Sequence, residues 1–125
     1  MTQENIMIAS YVQRGEYIDF VPVADVHAGD VIVQGKFVGV SKLDIAAGKL
    51  GAIATGGVFD LLKGNEAIAV GAPVYFNATD KVATASADNG GIGEEKVEYA
   101  YLGLAIASAG AGDASVRVLL NAVKG

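Results

Sequence analysis

The chain has no cysteine, no tryptophan, one histidine and two prolines among its 125 residues. Without cysteine there is no disulfide, no thiolate nucleophile and no sulfur-ligated metal, and the compartment stays open. One histidine without cysteine is too few nitrogen and sulfur ligands to point to a zinc site. Formal net charge is −5, and no two basic residues adjoin. A nucleic-acid binder needs a basic stripe to displace counterions from phosphates, so no nucleic-acid partner is expected. The longest apolar stretch, near Leu102 to Gly112, is too short and too glycine-rich to span a bilayer. The opening Met-Thr-Gln-Glu-Asn carries an acid where a signal peptide carries bases, so a product made in the cytoplasm and no membrane partner are expected.

What the chain does contain is small apolar residues and turns. Hydrophobic residues make up 52% and glycines number 17, while the aromatics are four Phe and five Tyr. Each methylene absent from an alanine-rich core forgoes about 0.8 kcal/mol of burial. Modest stability in isolation, helped by self-association, follows from that composition. Five times a glycine turn opens into a strand-like run, at Gly15, Gly29, Gly48, Gly71 and Gly112. Glycine reaches positive φ without steric cost, which suits it to tight turns between strands. The block Phe37-Val-Gly-Val-Ser-Lys-Leu-Asp-Ile-Ala-Ala-Gly48 returns as Tyr101-Leu-Gly-Leu-Ala-Ile-Ala-Ser-Ala-Gly-Ala-Gly112. Aromatic, aliphatic, Gly, aliphatic recur in both, and each block ends on a glycine that feeds another strand.

Many short strands at close spacing predict an all-β fold, a small β-barrel or sandwich of two related halves with at most one or two short helical turns. Strands are expected over Glu16–Val23, Val31–Val33, Phe37–Val40, Leu50–Ala54, Val58–Leu62, Pro73–Phe76, Val82–Ala85, Val97–Leu104 and Ser115–Asn121. In the last of these, Val116, Val118 and Leu120 share a face. Gly56-Gly57 reads as a bulge or sharp bend between two of them. Leu43–Ala47 reads as a helical turn or a loop, and Asn65–Val70 as a short helix ended by Gly71. Residues 1–14 form an N-terminal arm or a lead-in to the first strand, and 15–125 one β domain. Within it, 86–98 is a polar loop inserted into the second half.

Catalytic groups are sought without success. His27 sits in the polar turn Asp25-Val-His-Ala-Gly-Asp30, where a surface role outweighs a catalytic pair. Asp88-Asn-Gly-Gly-Ile-Gly-Glu-Glu95 has oxygen ligands but lacks the spacing and final bidentate Glu of a calcium loop. In Gly35-Lys36-Phe37 and Gly48-Lys49-Leu50 a hydrophobe stands where a phosphate loop places its magnesium-binding hydroxyl. Asp25/Asp30 and Glu94/Glu95 are poor candidates for the carboxylate pair of a glycosidase. No catalytic, cofactor or metal residue is assigned, and the protein is not expected to be an enzyme.

The order of Tyr11-Val-Gln-Arg-Gly-Glu-Tyr-Ile-Asp-Phe20, Ala28-Gly-Asp-Val-Ile-Val33, Phe37-Val-Gly-Val40, Gly57-Val-Phe-Asp-Leu-Leu-Lys63, Gly71-Ala-Pro-Val-Tyr-Phe-Asn77 and Val116-Arg-Val-Leu-Leu120 resembles a family of phage and prophage capsid cement proteins. Members often carry the label of an uncharacterised domain or of a RecA-like phage recombinase. The recombinase label conflicts with the missing phosphate loop and the acidic charge. The resemblance implies a decoration protein made in the bacterial host, placed on the outside of an expanded head and clamping capsid subunits. It implies the major capsid protein as partner and a homo-oligomer, by preference a trimer. A clamp needs exposed strand edges or an extended arm that offers main-chain hydrogen bonds. The contact candidates are accordingly Ile6, Met7, Ile8 and Tyr11, which otherwise begin the protein's own first strand. Competing readings are another virion part, for tail or head completion, and a small-ligand-binding β module.

Overall fold

The computed structural model describes residues 8–123. Nine short strands fall in chain order, β1 Tyr17–Phe20, β2 Val31–Gln34, β3 Phe37–Val40, β4 Gly51–Ala54, β5 Val58–Leu62, β6 Pro73–Asn77, β7 Val82–Thr84, β8 Ala100–Ala105 and β9 Ser115–Leu120. They form two antiparallel sheets, with orders β1-β4-β3-β2 and β5-β9-β8-β6-β7. Among the described residues the one helical element is a 3₁₀ turn at Gly93–Glu95. The fold is all-β, as the strand spacing predicts, and it is not a closed barrel.

The second sheet repeats the first. β5, β9, β8 and β6 stand in the order of β1, β4, β3 and β2, and β7 is the extra strand. The loops repeat as well. Val26 and Ile45 exchange two main-chain hydrogen bonds at 2.8 Å, and so do Ile68 and Ala109. The amide of Gly29 donates to Ser41 and that of Gly71 to Ala105, each from a glycine with positive φ (92° and 83°) that a Cβ would strain. Side-chain caps follow the same plan. The amide of Ala28 donates to Asp44 Oδ1 (2.8 Å), and its twin Val70 donates to Ser108 Oγ (3.2 Å).

The sheets meet where β3 packs across its twin β8. Val38 and Val40 of the first sheet join Leu61, Leu102, Val116, Val118 and Leu120 of the second in the main core. The alternation at Val116, Val118 and Leu120 is thereby explained, since all three are buried. The far face of the first sheet carries a second, smaller core. There Val26 and Ile45 close over Ile53, with Ile18, Phe20 and Ile32 around them. Gly39 gives Ile53 its room, because a Cβ there would stand 2.6 Å from Ile53 Cδ1. Asn121 ties the halves together, its side-chain amide donating to the carbonyls of Val38 (3.0 Å) and Thr55 (2.7 Å).

One local expectation is corrected. Asn65–Val70 is not a helix, since Ile68 pairs with Ala109 across the sheet end. Of the two readings of Leu43–Ala47 the loop is the one found, held by the Val26–Ile45 bridge. Gly56-Gly57 is the bend where the chain leaves the first sheet for the second. Between the strands expected at Pro73–Phe76 and Val82–Ala85 the chain makes a hairpin turn, with Asn77 Oδ1 accepting from the amides of Thr79 (3.0 Å) and Asp80 (3.2 Å).

Candidate assembly surface

The chemistry most available on this surface is that of unpaired strand edges. In the first sheet β1 pairs only with β4, and β2 only with β3. Each therefore presents a row of main-chain donors and acceptors to solvent, a template for another chain. The second sheet treats its edges differently. A single parallel bridge joins Lys63, just after β5, to Ala83 in β7. Lys63 is buried, and its Nζ donates to the carbonyls of Gly64 (3.0 Å), Glu66 (2.7 Å) and Ala111 (3.4 Å). The two edges of the second sheet are thus brought together, while those of the first stay open.

The lead-in to β1 is fastened at one point. Thr55 donates its amide to Glu16 (2.9 Å) and its hydroxyl to Gly15. Ahead of that anchor the chain is exposed, with Ile8 at 100% and Tyr11 at 81%. Both lie outside the sheet, whose first strand begins at Tyr17. Ile6 and Met7 lie outside the described residues.

Apolar side chains crowd the neighbouring surface. Tyr17, Leu43 and Leu50, all exposed, line a hollow of about 300 Å³ with Ile45 at its base. Lys42 Nζ donates to Tyr17 Oη at 2.7 Å and lies 5.3 Å from the ring centroid of the same tyrosine. On the other side of the sheet a groove of about 510 Å³ runs along β2, lined by Val31, Val33, Leu62, Phe76 and Lys81. These residues are missed by a reading of the sequence alone, because which strand forms an edge depends on sheet order.

The polar candidates prove to be turn caps. Asp25 Oδ1 accepts from the amide of Ala47 (2.8 Å) and Asp30 Oδ2 from that of His27 (2.9 Å). His27 is exposed. In the inserted loop Asp88 Oδ1 accepts from Gly90 (2.8 Å), and Lys96 pairs with Asp88 at 3.7 Å. Asn89 holds that loop's shape, accepting from Gly91 and Val97 (both 2.9 Å) and donating to Glu95 (2.9 Å). Its oxygens are spent on the backbone rather than gathered round a cation. Among the described residues no three His, Cys, Asp or Glu side chains are placed to hold a metal ion. An open cleft of about 690 Å³ separates this loop from the β2–β3 turn, between Lys36, Glu98 and Tyr99.

An ion pair on the second sheet shifts its partners' titration. Arg117 Nε and Nη2 donate to the two oxygens of Asp60 at 2.9 and 3.1 Å. Those bonds hold the Asp60 carboxyl below its usual 3.8 and raise the guanidinium. Both groups face solvent on the second sheet, at the positions that the exposed Asp19 and Ala52 occupy in the first.

No curated protein and no solved structure matches the chain. Residues 12–120 match the family model described as phage cement protein. That span holds both sheets and the inserted loop, and it begins one residue after Tyr11. With nearly all of its length matched, the chain belongs to the phage cement protein family, whose role is structural and in the capsid.

Proposed function

We propose that this protein binds the outside of a phage head and stabilises contacts between capsid subunits, with the major capsid protein as its partner and a homo-oligomer, by preference a trimer, as its working form. The observation that carries the reading is the unpaired β1–β2 sheet with its exposed lead-in. An extended segment of a neighbour pairing with such an edge gains main-chain hydrogen bonds and pockets for alternate side chains. A ligand that binds only the assembled shell stabilises it by mass action, and many weak clamps sum over the lattice. No catalytic step enters. The acidic capping residues and the buried Lys63 all have structural tasks.

The test is cosedimentation of the pure protein with expanded heads stripped of their decoration, followed by imaging of the complex. Saturable binding with added density on the outer surface is the expected result. Density inside the shell, at the portal or only on tails moves the protein to another virion role, and an absence of binding overturns the reading.

A further inference from the structure

We propose that Ile8-Ala9-Ser10 of one copy adds as an antiparallel strand to the open edge of β2 in a second copy. The duplicated architecture supplies the precedent within this chain. β6, the twin of β2, does not end its sheet, because β7 (Val82-Ala83-Thr84) covers its outer edge. β2 has no such cover. The missing strand has a sequence equivalent. Ile8-Ala9-Ser10 repeats the β7 pattern of β-branched aliphatic, alanine and hydroxyl residue. Ala83 is fully buried in its place, and a small residue is what a close strand at this position requires.

The edge is prepared for pairing. Ser41 donates to Asp30 at 2.9 Å, and Gln34 faces Phe37 across the hairpin turn. Bonded pairs alternate along an antiparallel ladder, so Val31 and Val33 turn their main-chain groups to the open side. The groove along that side is walled by Leu62 and Phe76 from the second half. Ile8, entirely exposed in its own copy, gains an apolar seat there.

The strand must come from another copy. An added strand antiparallel to β2 runs in the direction of β1. Its own chain would then need a parallel crossover to reach β1, and such connections take about a dozen residues or more. Only residues 11–16 lie between. An arm and an edge on one chain allow reciprocal exchange in a two-fold dimer or head-to-tail exchange, which forms a ring where the rotation closes.

The inference rests on the self-association in the proposed function and not on head binding, so its test is run in solution on the full chain. Wild type, a deletion of residues 1–10 and Val33→Pro are compared by sedimentation velocity over a range of concentrations. Val33→Pro blocks the open edge without removing a β2–β3 hydrogen bond, and circular dichroism of each variant checks its fold. Because the chain lacks cysteine, Ala9→Cys and Gln34→Cys copies are also mixed and oxidised. The expected result is an oligomer weakened about tenfold or more by either variant, and a disulfide-linked pair with one copy of each mutant. A monomeric wild type, association unchanged by the deletion, or no linkage between the two mutants overturns the inference. Should the deletion variant keep its oligomer yet lose head binding, the strand exchange fails while the capsid reading stands.

Discussion

The two halves of this molecule share a strand order and a loop plan, yet they use their sheets oppositely. The second sheet draws its edges together through Lys63 and Ala83 and turns an Asp60–Arg117 pair to solvent. The first leaves both edges open and packs Ile53, with Ile18 beside it, under Val26 and Ile45. One scaffold occurs twice, and a few side chains make one copy self-contained while the other keeps its edges free. Unpaired edges are usually a liability that proteins blunt, and under the proposed function they would be the working surface.

The largest difference between the halves is expected from one substitution made at twin positions. A Cβ on Gly103 would stand 2.0 Å from the carbonyl oxygen of Leu119, which is backbone and cannot yield without parting β8 from β9. A Cβ on Gly39 meets instead the end of the Ile53 side chain, which can turn aside. Gly103→Ala is expected to cost at least ~3 kcal/mol and Gly39→Ala about 1–2 kcal/mol in urea unfolding. Equal losses would show that the halves are packed alike.

Next in size is Lys63→Met. It removes a buried ammonium that donates to three carbonyls and should cost about 2 kcal/mol. Amide exchange at Ala83 should quicken while Ile53 stays protected, which reads the second sheet's edge separately from the first sheet's core. Exchange quickening equally at both would make the two sheets one cooperative unit. Asn121→Ala tests the tie between halves. Loss of the bonds to Val38 and Thr55 is expected to cost about 1–2 kcal/mol, with a lower thermal midpoint and unchanged circular dichroism at room temperature.

The smallest effect belongs to Asp60→Asn, on a fully exposed pair. No resolvable change in thermal midpoint is expected at neutral pH. The sign of its pH dependence is fixed. The folded carboxyl titrates below its usual 3.8, so whatever the pair contributes is present above that value and is lost as pH falls through the folded pKa. Wild type and Asp60→Asn should therefore converge in strong acid. A gap that widens as pH drops contradicts the assignment.

Much of this architecture was legible in the sequence. Phe37–Val40 and Val58–Leu62 stand where β-branched and aromatic residues place them, and the Phe37 and Tyr101 blocks do lie in twin strands facing each other. Asn65–Val70 misled because its local composition suits a helix, whereas its main chain is satisfied far away at Ala109. Long-range pairing overrides propensity in such short segments. The arm could be suspected from its apolar residues. The open edge of β2 could not, because Val31 and Val33 look like any strand until the order of the sheet is known.

A protein that sits on the outer surface of a phage head must be abundant in the virion. Quantitative mass spectrometry of purified virions, before and after the heads are stripped, measures that abundance. A copy number close to that of the major capsid protein, lost on stripping and regained when the pure protein is added back, is the predicted result. Intact virions that lack the protein, or hold only a handful of copies, would contradict it.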